Sequence, residues 1–323
     1  MDFNLTDVQQ SWKAKGESLG QDLSEEPAPA DVVMGAARVG LLDARADLMA
    51  AAVAVEALAD ASSGAAVTLA LHSAVLLALG QDDRFSSLAR GEIVGAIVLS
   101  TDDLPTEDGG RLTGRALLVG PLTDRGLAVV GARSGEALIA CAVALDTPGT
   151  NVEPIRTAAL RGFACGHVTF ADVPSTPLGA TLPFMTRVRI LLAAAGLGMG
   201  RRALREALAS AHGHRGRGAG GEQTVQGLLA DAATELDAAT MLTWKAASSA
   251  TLSLADASMA KLAVTEAAQR AVGRATQVVG VDSFRRGHII ERLAQDVRAL
   301  ELFAGRTEAL RDAVAAEILT ARP

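Results

Sequence analysis

Tyrosine is absent from this 323-residue chain, and aromatic residues of all kinds make up 3% of it. Alanine and glycine take their place, which lets helices approach closely but carries no functional weight. Two cysteines, Cys141 and Cys165, cannot build a disulfide scaffold or a four-cysteine zinc site, and so few thiols in so long a chain suit a reducing compartment. Net basic charge is also missing: the formal charge is −7 and the sequence pI about 5.3, which argues against general attraction to nucleic acid. The opening "MDFNLTDVQQ" has neither the basic nor the apolar segment of a secretory signal. Apolar runs such as "TLALHSAVLLALG" fall short of the roughly 18 residues that a membrane span needs. The expectation is a cytoplasmic protein with neither nucleic acid nor membrane among its partners.

What is present is core-forming: 49% of residues are hydrophobic and 21% charged, enough for two or three subdomains with a substantial interior. Residues 1–90 read as an N-terminal helical domain. Thr6 and Gln9 form a capping-box pattern, Val8, Trp12, Leu19 and Leu23 follow at near-helical spacing, and "LMAAAVAVEALAD" and the run from Ala65 to Leu79 read as buried helices. Over 91–183 the texture changes to short β-prone runs broken by Gly, Pro and Asp, such as "EIVGAIVLS", "GLAVVGA" and "HVTFADV". With no helical runs between them, these predict a middle antiparallel β domain and disfavour a doubly wound sheet. Over 184–323 long amphipathic helices return, with apolar stripes at Val225, Leu228, Leu229, Ala232, Leu236, Ala239 and Leu242, then Ile290, Leu293, Val297 and Leu300, then Leu310, Val314 and Ile318. Such stripes are buried most simply in a C-terminal four-helix bundle, so the fold class is α+β.

The stretch "HGHRGRGAGG" at 212–221 invites several readings. His212 and His214 lack a nearby third ligand for a metal, and a phosphate-cradling loop should follow a strand and open a helix, whereas this one follows a helix. A solvated connection is the simplest reading. Cys165 and His167 alternate onto one strand face but lack the third group and oxyanion site of a nucleophilic dyad. No metal site is expected.

The order helices, strands, bundle, together with "LARGEIVGAIVLS", "DTPGTNVEP", "LRGFACGHVTFADV", "ASMAKLAVTEAAQRAVGRATQVVGVDSF" and "IERLAQDVRALELFAG", resembles the acyl-CoA dehydrogenase family over nearly the whole chain. The resemblance implies FAD held between subunits, an acyl thioester beside it, and a homotetramer or a pair of unlike dimers. It also implies a glutamate that removes the α-proton while hydride leaves for the flavin, with the thioester carbonyl hydrogen-bonded so that enolate charge is stabilised.

Against that pattern, the family's Tyr-Glu-Gly-Thr string is here Phe303-Ala304-Gly305-Arg306, with a methyl group at the base position. The alternative family position, just before an arginine at the start of the bundle, is Val188 before Arg189. No catalytic base is assigned; Glu301, one helical turn before Ala304, is the candidate for a displaced one. Arg189 matches an arginine beside the substrate channel. The resemblance implies cofactor contacts at Ser100, Thr101, Leu118, Arg215, Gln277 and Gly280, although "ALLVGP" lacks the family's Thr-Asn pair, "STDDLPTEDGG" is shortened, and Val281 replaces a second glycine, where it would crowd a backbone meant to approach a ligand. Asp296 and Arg298 match a family helix and are expected to form ion pairs. The resulting expectation is a base-lacking subunit that helps form an FAD site with a base-bearing homologue, as in heteromeric actinobacterial members. The alternatives are a flavin-free or non-redox enzyme on the same scaffold, acting on a small-molecule or carrier-bound intermediate, and a non-catalytic assembly protein.

Overall fold

The computed structural model describes residues 4–79, 82, 85–98, 103–213 and 223–320. Thr6 caps the first helix, α1 (Asp7–Asp22): its Oγ1 accepts the Gln9 N–H at 3.3 Å and Gln9 Oε1 accepts the Thr6 N–H at 3.1 Å. Both bonds satisfy amides that the first helical turn leaves without partners. Trp12 and Leu19 bury one face of α1, which packs on α3 (Leu48–Ala61). Between them in sequence lies α2 (Pro29–Arg38), with proline in its first turn. Apolar almost all round, α4 (Ser63–Leu79) is buried on nearly every side, as that composition requires. A single turn, α5 (Ser86–Ala89), leads into the sheet.

Among the described residues eight strands form one sheet: β1 (Val94–Val98), β2 (Thr106–Asp108), β3 (Arg111–Gly120), β4 (Gly126–Ser134), β5 (Ala137–Ala144), β6 (Thr150–Ile155), β7 (Cys165–Pro174) and β8 (Thr176–Ala180). Their order is β6-β7-β3-β1-β4-β5-β8, with β2 pairing β3 and β4. Hairpin neighbours are antiparallel, as the short spacings predict. The middle of the sheet is different: β1 lies parallel to β4, and β2 meets β4 in parallel at Thr106 and Arg133. The sheet is therefore mixed. The chain leaves β1 and returns through β2 and β3 before β4, and that excursion supplies the crossover that a parallel pair needs.

Five helices follow: α6 (Leu182–Gly213), α7 (Gln223–Ala247), α8 (Leu254–Val279), α9 (Ile289–Leu302) and α10 (Thr307–Thr320). The buried α8 packs against α6, α7, α9 and α10. By length and composition α6 could cross a membrane, but 78% of its most apolar window is buried inside the fold. It lies between the bundle and α3. The contact with α3 is backbone-close at Gly198, where a Cβ would fall 2.2 Å from the Glu56 carbonyl oxygen, so only glycine fits. One continuous core joins the helices to a face of the sheet that includes Val94, Val129, Ala140 and Ala142, while the alternate residues Ala96, Val98, Val130, Cys141 and Val143 build a smaller second core.

Candidate functional site

The turn after α9 is the place where the sequence predicts a missing carboxylate. Phe303 ends the helix, and Ala304 and Gly305 follow with φ of 55° and 113°, a left-handed geometry uncommon for alanine. Ala304 is 2% exposed. Its carbonyl accepts the Arg189 Nε–H at 2.9 Å, and Arg189 Nη1 donates to Ser258 Oγ at 2.7 Å. Lys261, fully buried on α8, donates from Nζ to the carbonyls of Glu301 at 3.2 Å and Gly305 at 3.1 Å. Three carbonyls of the turn, those of Glu301, Ala304 and Gly305, are thus held by two buried cations. Burial, reinforced by the neighbouring Arg189 charge, brings the Lys261 ammonium down to about 7, and burial also lowers Arg189 from its ordinary range.

Arg189, which the resemblance places beside substrate, is directed inward at this turn and is buried. Val188 is also buried in the core. Glu301 does lie next to the turn, but its Oε2 accepts from Gln269 Nε2 at 2.7 Å and its Oε1 from Thr307 Oγ1 at 2.8 Å, with Arg298 3.5 Å away. The Gln269 bond first, then Thr307 and Arg298, hold its carboxyl below the usual range. Proton abstraction needs the opposite shift. Phe163 packs on Phe303 with ring centroids 5.8 Å apart, so aromatic rings fill space next to Ala304 on that side.

Arg298 forms an ion pair, with Glu301 at 3.5 Å, whereas Asp296 forms none among the described residues. It reaches across 136 positions of sequence to accept the Leu160 N–H, and burial raises its carboxyl while that bond opposes the rise. Leu118 sits at a bulge of β3 with φ 54°, and its N–H donates to His167 Nδ1 at 3.2 Å. Ser100, Thr101, His214 and Arg215 lie outside the described residues. At the far end of α8, Gln277 is exposed and Gly280 has φ 75° with open space where a Cβ would stand. Val281 is 83% exposed and Phe284 74%. The valine side chain is therefore in solvent. Among the described residues no three His, Cys, Asp or Glu gather as metal ligands.

A cavity of about 750 Å³, mouth included, lies between the sheet and the N-terminal ends of α6 and α8; Ile97, Val129, Gly131, Ala140, Met185 and Leu254 wall it. Met185 and Leu254 stand one helical turn before Arg189 and Ser258 on their helices, so the Arg189–Ser258 bond lies behind this wall. Sequence reading missed both the cavity and Lys261. The only signal for the lysine was its polar character at an apolar-stripe position of "ASMAKLAV".

Residues 179–319 match the model of the acyl-CoA dehydrogenase C-terminal domain. An acyl-CoA dehydrogenase of Bacillus subtilis (strain 168) is 26% identical over 309 residues, 83% of this chain and 82% of that protein. The solved glutaryl-CoA dehydrogenase from Mycobacterium smegmatis in complex with FADH2 superposes with a TM-score of 0.84 at 17% identity, over 98% of this chain and 96% of that one. Residues 179–319 thus belong to the acyl-CoA dehydrogenase family, and the chain as a whole has that family's fold. Another relative is the 3-sulfinopropanoyl-CoA desulfinase of Paraburkholderia xenovorans (strain LB400), 30% identical over 191 residues. That match spans 54% of this chain and about half, 49%, of the desulfinase's own length.

Gly280 leaves a backbone that a ligand such as FAD could approach closely, and Gln277, three residues before it, is exposed. Leu118 and the cavity wall offer hydrocarbon, and the Leu118 N–H is already engaged by His167.

Proposed function

We propose that this chain is a base-lacking member of the acyl-CoA dehydrogenase family, a subunit that completes an FAD site for α,β-desaturation of an acyl thioester together with a homologous, base-bearing partner. The observation that carries this reading is the turn at Ala304: the family base position is a buried methyl group whose carbonyl is tied to Arg189, and the second base position, Val188, is buried hydrocarbon. Bound FAD would supply the hydride acceptor. On this chain Gln277 and Gly280 would receive its adenine end, and Leu118 would pack beside its ring. Arg189 and Lys261 keep the turn rigid and withhold charge from the cavity. The partner's carboxylate removes the proton.

The test is co-expression with homologous subunits encoded near this chain, followed by a visible spectrum and an assay of thioester desaturation with an artificial electron acceptor. A flavin spectrum and turnover are expected only in the mixed assembly. A chain that is yellow and active by itself overturns the proposal.

The loss of polar groups at the ring end favours a second reading, a flavin-free or non-redox enzyme acting on a small-molecule or carrier-bound intermediate on the same scaffold. Failure of every combination to take up flavin, with retained binding of a small ligand, would favour it.

A further inference from the structure

We propose that the cleft between α1, α3 and the second half of α6 binds a small zwitterion, an ω-amino carboxylate whose ammonium and carboxylate are separated by a short hydrocarbon chain. This site goes beyond the reading above and does not rest on it: its α6 residues, Arg201 and Arg205, stand roughly 18 Å or more along the helix from Arg189.

The three helices meet through glycines. A Cβ at Gly16 of α1 would fall 2.4 Å from the Ala54 carbonyl oxygen, and α6 approaches the Glu56 carbonyl at Gly198 in the same way. Side chains that flank these contacts at helical spacing therefore converge on one cleft of about 1170 Å³, mouth included, with Trp244 of α7 also in its wall. Lys13 and Glu17 on α1, Glu56 and Asp60 on α3, and Arg201 and Arg205 on α6 give that wall three cations and three carboxylates. It carries no net charge to attract an anion or a cation as such.

The sides of the cleft differ in what is already paired. Arg201 Nε stands 2.9 Å from Glu56 Oε1, and Arg205 pairs with Asp60. Arg201 also donates from Nη2 to Thr240 Oγ1 at 3.0 Å. Burial raises the Glu56 carboxyl, opposed by the charges of Arg201 and Lys13 and by a hydrogen bond from Trp244, so this pair forms the deep side. Lys13 and Glu17 are exposed, and among the described residues neither has an ion-pair partner. With lysine on the N-terminal side, the two stand in the less favourable order for pairing with each other.

One helical turn apart, such a cation and anion have Cβ atoms about 5–6 Å from each other. Their complement is a ligand with opposite charges at like spacing, its carboxylate at Lys13 and its ammonium at Glu17. Val53, Ala57 and Ala61 in the same wall offer hydrocarbon to the methylenes between. A ligand with one charge gains one of these partners and is repelled by the other.

The test is isothermal titration of the full chain at low ionic strength with 5-aminopentanoate, beside pentan-1-amine and pentanoate, which each keep one of its charges, and glycine, whose charges stand too close to reach both side chains. 5-Aminopentanoate is expected to bind at least about fivefold tighter than any of the other three, the worth of one partly exposed ion pair. Lys13→Gln and Glu17→Gln should each weaken it by about fivefold. Both positions are exposed on α1, so the thermal midpoint should hold. Equal binding of 5-aminopentanoate and its singly charged counterparts, equal binding of glycine, no binding at all, or affinity unmoved by both substitutions overturns the proposal.

Discussion

His72 on α4 is fully buried, and its Nδ1 accepts the Gly95 N–H at 2.9 Å, tying the helix to β1. Burial lowers its pKa to about 4 from an ordinary 6.5, so the folded state resists the proton that the unfolded chain accepts. The stability this implies is present above pH 6.5 and is lost as pH falls toward 4, at most about 3 kcal/mol. Urea unfolding at pH 7.5 and pH 5 should show that loss, and His72→Gln, which keeps an acceptor but does not titrate, should flatten it. Lys261 acts in the other window. With its folded pKa near 7 and an ordinary value of 10.5, the unfolded chain holds more protons between those limits, so stability rises with pH there. Relative to Lys261→Met, the native chain should gain about 2–3 kcal/mol between pH 7 and pH 9, measured by the same unfolding experiment. No gain would mean that the ammonium is solvated. At this scale the sequence was legible where the chemistry is local. Thr6 and Gln9 are three residues apart and predict their own bonds, and the proposed losses at Ala304 and Val188 rest on departures from a motif. Arg189 with Ala304, 115 positions apart, and Asp296 with Leu160, 136 apart, gave no such signal, because those partners are chosen by packing and not by spacing.

Among elements, α6 carries the largest share of the architecture, wedged between α3 and the bundle. Gly198→Ala should destabilise the protein by about 2–3 kcal/mol, because the added methyl meets backbone that cannot shift as a side chain can, and the thermal midpoint should fall. Gly273, in the interior of α8, is exposed with nothing near its would-be Cβ, so Gly273→Ala should stabilise by about 0.5–1 kcal/mol. Opposite signs from one substitution type on two helices of the bundle check the packing directly. A neutral or stabilising Gly198→Ala would show that α3 and α6 are not in the close contact described. Helix periodicity made α7, α9 and α10 readable in advance through their apolar stripes, whereas no such stripe was read for α6 or α8. The parallel pairing of β1 with β4 was not readable, since strand order depends on where the excursion through β2 and β3 returns and not on the pattern within any strand.

For the whole molecule, the family pattern was legible because it is spread along the chain in order: helices, sheet and bundle each carry a matching string. The cavity was hidden for the opposite reason. Gly131, Met185 and Leu254 come from three separate elements, and only the fold brings them together. In the proposed reading the molecule keeps the family scaffold but has hydrocarbon, Ala304 and Val188, at both positions that would take a proton from substrate. Glu301, the nearest carboxylate to the turn, is held by Gln269, Thr307 and Arg298, and its lowered pKa makes it a poor substitute. Glu301→Gln should therefore leave the desaturation rate of a mixed assembly unchanged within about twofold, whereas a large fall in rate would return Glu301 to the role of base.

The most direct test is a desaturation assay on the purified chain alone, saturated with FAD and acyl thioester in the presence of an artificial electron acceptor, beside the same assay after a homologous base-bearing subunit is added. The account expects no turnover above background in the first and measurable turnover in the second; steady oxidation of thioester by the single chain would contradict it.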